Sequence, residues 1–246
     1  MSERLFDIAG ITVTVTGVYA VISALVLILF MSLWLFGRKK KTGLPIFAGQ
    51  VMNGIGFGLL PSLAVLKAFQ SVNMNAGIKV CEPLPMLRWV TRDGCFLPGR
   101  IETAAALTAF LILALWLIVR KTELPDNGDL LMISVCVWAA IRMVTENLRS
   151  EPQDLFRYAS SATMFACMAL WTIRRAKSTR VPGRMIADLL AAAICIAIHM
   201  VTAKGILSAG SEIGDLAVKA GSSLLLLMLT LIVGGDVRKS LQPKEG

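Results

Sequence analysis

Charge is scarce in this chain. Only 17% of its 246 residues are Asp, Glu, Lys or Arg, against about a quarter in a soluble domain. Histidine occurs once and tyrosine twice, and aromatic residues make up 7%. The 56% hydrophobic content is therefore carried mainly by Leu, Ala, Ile and Val. Five cysteines are too few for a disulfide-rich secreted module. No His/Cys/Asp/Glu spacing suits zinc or another metal, and no cofactor motif is present. Repeats of solenoid period and low-complexity tails are missing too. What remains is a series of long apolar stretches separated by charged knots, which predicts a polytopic membrane protein rather than one or two soluble domains.

A helix crosses the hydrocarbon core with about 20 apolar residues. Seven stretches qualify: roughly 12–36, 45–68, 101–119, 130–148, 155–173, 185–207 and 217–235. Unpaired backbone cannot face lipid, so each is predicted helical. The expected fold is all-α, a bundle of about seven transmembrane helices in a single integral membrane domain over residues 1–246.

Lys and Arg set the orientation. With the N-terminus outside, the cytoplasmic pieces are the Arg38-Lys39-Lys40-Lys41 knot, 120–129, 174–184 and 236–246, holding 14 basic and 5 acidic residues. The rest of the chain carries 11 of each, so the whole formal charge of +9 falls on one side. That predicts N-terminus out, C-terminus cytoplasmic and an odd number of spans. Basic residues split among short loops fit anionic lipid head groups and exclude a nucleic-acid footprint, which would cluster on one soluble face. The first stretch does not read as a cleavable signal peptide: its apolar run is too long and its basic knot follows it.

Residues 70–100 form a long outer loop containing Cys81, Pro83, Pro85, Cys95 and Pro98, a length that points to a functional or re-entrant segment. Cys81 and Cys95 face a compartment where pairing is available, and both a disulfide and two free thiols stay open. Cys136, Cys167 and Cys195 fall inside spans and read as small apolar packing residues.

Ionisable residues within spans are expensive and mark function by default. Lys67 and Lys204 stand near outer ends, where they can snorkel. Asp188 lies four residues after Arg184 and is expected to pair with it. His199 has no companion at metal spacing and reads as structural. The fourth stretch is different. Arg142, Glu146 and Arg149 follow at i, i+4 and i+7, a narrow stripe of one helix face that Trp138 continues inward. Pro152 ends the run at the outer surface. Glu102 opens the third span from the same side. A guanidinium grips phosphate oxygens with two parallel hydrogen bonds, and a neighbouring carboxylate holds it in place. The stripe therefore suits a phospholipid head group in the outer leaflet. The plainer reading is an i, i+4 pair in which Arg142 and Glu146 neutralise each other.

Arg142-Met-Val-Thr-Glu146-Asn-Leu-Arg149-Ser-Glu151-Pro152-Gln-Asp154 resembles the R-x-x-x-E-x-x-R-E-P-D signature of bacterial prolipoprotein diacylglyceryl transferases, with one residue inserted before the Asp. Leu97-Pro98-Gly99-Arg100-Ile101-Glu102-Thr103-Ala104 is similar to the family's H-P-x-Q-L-Y-E-A stretch. Phe6-Asp7-Ile8 leading to Gly17 resembles its opening, and Gly54-Ile-Gly56-Phe-Gly58 its glycine-rich second span. The resemblance covers about residues 5–175, and residues 176–246 add two further spans. It implies a multi-pass protein of the bacterial cytoplasmic membrane that takes phosphatidylglycerol, or another anionic phospholipid, and transfers diacylglyceryl to the lipobox cysteine thiol of a prolipoprotein. It implies catalytic roles for Arg142, Glu146 and Glu102, head-group contacts from Arg142, Arg149 and Arg100, and no metal or cofactor.

The family's H-G-G and G-R-x-G-N-F segments have no counterpart in residues 70–97. The sequence therefore also fits a relative that kept the lipid-gripping half without catalysis, as a phospholipid-binding or scaffold subunit. A small transporter is a third reading, opposed by the lack of an inverted repeat.

Overall fold

A computed structural model describes residues 4–8, 11–42, 48–70, 91–92, 95–96, 98–120, 128–146, 154–179 and 182–203, with scattered positions between 210 and 228. Six helices dominate them: α1 (Val15–Thr42), α2 (Ala48–Gln70), α3 (Pro98–Arg120), α4 (Asp129–Glu146), α5 (Asp154–Thr179) and α6 (Pro182–Ala203). Each falls on one of the first six apolar stretches, so the all-α expectation holds. Three segments are long and apolar enough to cross a membrane among the described residues: Val15–Gly37, Ala48–Ala68 and Pro98–Val119. The seventh stretch, 217–235, lies almost wholly outside the described residues.

Two short hairpins were not expected. β1 (Arg4–Ile8) pairs antiparallel with β2 (Ile11–Thr14), Ile8 opposite Ile11 and Phe6 opposite Val13. β3 (Thr91–Arg92) pairs with β4 (Cys95–Phe96) inside the long loop. Both have local causes. Ile11-Thr12-Val13-Thr14 is β-branched throughout and alternates apolar with polar, and Asp93-Gly94 is a favoured hairpin dipeptide. The first helix accordingly starts at Val15, after β2, rather than at residue 12. Thr14 caps it, its Oγ1 accepting the Gly17 N–H at 3.1 Å.

The chain divides into two compact units, Met1–Ser134 with Leu148–Glu151, and Val135–Asn147 with Pro152–Gly246. In the first, α2 is central: 44% of its apolar window is buried, against 6% for α1 and 22% for α3. It packs between α1 and α3. Small polar groups stitch these apolar faces together, an arrangement suited to helices that lack a hydrophobic drive to associate in lipid. Ser23 Oγ donates to the Ser62 carbonyl at 2.8 Å. Thr103 Oγ1 bonds the carbonyls of Gly99 (2.9 Å) and, across to α2, Ala64 (3.2 Å). An aromatic cluster fills the centre, Phe110 of α3 lying 5.2 Å from the rings of both Phe30 and Phe57.

The start of α4 is built onto α2. Asn53 Oδ1 accepts the Leu130 N–H at 3.0 Å, and Ser134 Oγ donates to the Gly56 carbonyl at 2.7 Å. Asn53 thus acts as an N-cap supplied from another helix. Gly56 is required here, since a Cβ would overlap the backbone of Leu130 and Leu131. Gly128, just before α4, adopts a φ of +81°, which favours glycine.

In the second unit, Ser161 Oγ of α5 lies 3.9 Å from Met143 Sδ of α4, and α5 packs on α6. Cys136, Ala139, Ala140 and Met143 of α4 are buried, as are Ser161, Met164 and Cys167 of α5. Ile186, Leu190, Ile194 and Ile198 recur every four residues on α6 and are all exposed, giving that helix an outward apolar stripe.

Candidate functional site

Arg142 and Glu146 lie in the last two turns of α4, one above the other at i, i+4, with Arg142 Nη2 3.2 Å from Glu146 Oε2. Both are sequestered, their side chains 10% and 1% exposed. Thr145 between them turns its hydroxyl back onto the Ile141 carbonyl at 2.9 Å, which removes a competing polar group from the pair.

Local helix physics does not explain this placement. A carboxylate in the final turn faces the negative end of the helix dipole. A basic residue preceding an acidic one at i, i+4 is the less favourable order. Burial adds a desolvation cost of several kcal/mol per ion, by order of magnitude, and apolar replacements of such pairs are often neutral or stabilising.

Glu102 is fully buried in the second turn of α3, and its Oε2 lies 3.5 Å from Lys67 Nζ in the last turn of α2. The snorkelling expected of Lys67 is thus corrected: its side chain is 17% exposed and is turned to Glu102. The cause is topological, because antiparallel consecutive helices bring the end of one beside the start of the next. Sequence reasoning left Lys67 out of the site; its only sequence trace is that Lys67 and Glu102, of opposite charge, flank the same loop, which does not by itself fix how α2 and α3 align.

Arg100 sits half-buried in the first turn of α3. Arg142 and Glu146 belong to the second unit, and Arg100, Lys67 and Glu102 to the first, so the expected site is described as two separate ion pairs. Arg149, which completes the expected stripe, lies outside the described residues, as do Cys81, Lys204 and the side chains of Cys95, Arg184, Asp188, Cys195 and His199. Cys136 and Cys167 are buried free thiols, in keeping with packing roles. No group of three His, Cys, Asp or Glu able to hold a metal occurs among the described residues.

The arrangement defines a class: a helical protein with helices apolar enough to cross a membrane and with buried ion pairs on α4 and between α2 and α3. No protein family, curated protein or solved structure matches the chain.

Proposed function

We propose that this is a multi-pass protein of the bacterial cytoplasmic membrane that binds an anionic phospholipid, phosphatidylglycerol foremost, at Arg142 and Glu146. On this reading all seven apolar stretches cross the bilayer, with the N-terminus outside and the C-terminus cytoplasmic. The observation that carries it is the buried Arg142–Glu146 pair, whose order, position and burial all run against helix stability. Such a pair is retained for what the guanidinium does. Arg142 presents a planar fork to a phosphodiester and Glu146 holds that fork in plane; the family resemblance adds Arg149 and Arg100 as head-group contacts.

The reaction proposed is diacylglyceryl transfer. The sulfur of a lipobox cysteine attacks the glyceryl carbon next to phosphate, a C–S bond forms and the C–O bond breaks. Glycerol phosphate leaves with the electron pair, and the thiol proton passes to a base. The guanidinium stabilises the departing phosphate, and the acceptor must reach thiolate character. Glu102 is the base that the family resemblance suggests.

One observation favours a second reading, phospholipid binding without transfer: Glu102 is fully buried and stands 3.5 Å from Lys67, a position that ties α2 to α3 rather than opening onto an acceptor thiol.

Purified protein, phosphatidylglycerol and a lipobox peptide, followed by mass spectrometry for thioether-linked diacylglyceryl peptide, tests both readings. Product that disappears with Arg142→Lys is the outcome expected of the transferase. Phosphatidylglycerol that co-purifies without product, and is lost with Arg142→Lys, selects the binding protein. Neither product nor retained lipid overturns the proposal.

A further inference from the structure

Trp138 belongs to the stripe of α4 that carries Arg142, yet the head-group contact does not use it. At 3.6 residues per turn and 1.5 Å per residue, Val135 and Trp138 fall within about 40° of Arg142, and about 10 and 6 Å before it along the axis. These residues lie on one continuous helix and in one compact unit, so the helix alone fixes their relative placement. Burial changes along the stripe. Arg142 and Glu146 are buried, whereas Val135 and Trp138 are half-buried. The apolar part of the stripe is therefore the part left open.

Depth makes this tryptophan unusual. The indole is favoured at the two membrane surfaces, level with the head groups, where its N–H stays wet. On the membrane reading α4 runs outward from the cytoplasmic side, and Trp138 sits near the middle of its 18 residues. Trp34 has a packing role, its ring 5.5 Å from Phe57 in the aromatic cluster of the first unit. Trp138 lies outside that cluster, on a helix of the second unit. What would lie on its open face follows from the shape of a phospholipid. The chains leave the phosphodiester toward the bilayer centre, which is the direction from Arg142 to Trp138. Resting on the lipid reading of Arg142, we propose that Trp138 is a positioning residue whose indole packs on the glyceryl-proximal part of the acyl chains. The ligand class is then a diacyl phospholipid, and a water-soluble phosphodiester with the same head group binds poorly. A broad, stiff ring suits that task, since it offers a large apolar area with few rotamers to freeze.

The test places the full chain in phosphatidylcholine vesicles and reads indole fluorescence, which bromine on an acyl chain quenches on contact. The chain has five tryptophans, and the difference between wild type and Trp138→Phe, which keeps an apolar ring, isolates Trp138. At equal low mole fraction, phosphatidylglycerol with brominated chains is expected to quench Trp138 more than brominated phosphatidylcholine does. Arg142→Lys should remove that excess. Glycerophosphoglycerol, the same head group without chains, should leave it intact at matched concentration. Trp138→Ala should lower co-purified phosphatidylglycerol by about tenfold, in line with the loss of a large apolar contact. Equal quenching by both brominated lipids makes Trp138 a residue facing bulk lipid and overturns the inference, as does reversal by glycerophosphoglycerol. In both cases phosphatidylglycerol still co-purifies with the wild-type chain, so the lipid reading survives. Wild-type protein that retains no phosphatidylglycerol overturns that reading and this inference with it.

Discussion

Two buried ion pairs invite comparison. Lys67–Glu102 joins two helices, and its members sit where their helices favour them: a cation in the last turn of α2 and an anion near the start of α3. Arg142–Glu146 lies within one helix, in the less favoured order, with its carboxylate at the unfavourable end. The first is accounted for by the packing it serves. The second opposes the element that carries it, and opposition of that kind is expected at functional positions rather than in scaffolding. That opposition is the physical ground on which the proposed function rests at Arg142–Glu146 and not at Lys67–Glu102.

The largest effect should come from truncating each cation. Arg142→Ala removes the guanidinium 3.2 Å from the buried Glu146 carboxylate, and should lower stability by about 3–5 kcal/mol. Lys67→Ala should cost about 1–3 kcal/mol, since Lys67 is the more exposed of the two cations. Thermal unfolding in detergent reads both, and equal losses would erase the distinction drawn here.

Removing both partners sharpens the comparison. Arg142→Met with Glu146→Leu, and Lys67→Met with Glu102→Leu, replace each pair by apolar volume, so both proteins should fold at or near wild-type stability. Co-purified phosphatidylglycerol should then be lost from the first and kept by the second. Lipid kept by both would return Arg142–Glu146 to a structural role. A smaller effect is expected of Arg142→Lys, which keeps charge but not the planar fork. Its stability should fall by less than that of Arg142→Ala, while retention of phosphatidylglycerol drops by about tenfold, equivalent to about 1.4 kcal/mol. Wild-type retention would exclude a bidentate phosphate contact.

How far each pair could be read in the sequence follows from the range of the interaction. Arg142–Glu146 is local: i, i+4 on a helix suffices, and the apolar stretch 130–148 supplies the helix that becomes Asp129–Glu146. Lys67–Glu102 is not local. It depends on how α2 and α3 align across the intervening loop, which periodicity does not specify. The same limit hid Asn53 capping α4 and Gly56 admitting its backbone. The hairpin before α1 was hidden for another reason: Ile11 to Thr14 are apolar enough to merge with the helix that follows, so hydropathy overrode β-propensity. Helix ends moved similarly, α5 running to Thr179 through Arg174, Arg175 and Lys177, residues that end an apolar stretch without ending a helix.

The smallest stability change gives the cleanest discrimination. Exchanging the residues, Arg142→Glu with Glu146→Arg, preserves composition, spacing and the opportunity to pair. It places the acidic residue first and the cation in the last turn, the order and position that a helix prefers. If the pair serves only neutralisation, the exchanged protein should gain a few tenths of a kcal/mol in stability and behave as wild type in every other respect. If Arg142 grips phosphate, the exchange moves the guanidinium by one turn, about 5.4 Å, and puts a carboxylate where the phosphodiester would sit. Stability would still rise slightly, yet phosphatidylglycerol would no longer co-purify. Stability and lipid retention would then move in opposite directions, a result that neutralisation alone does not produce.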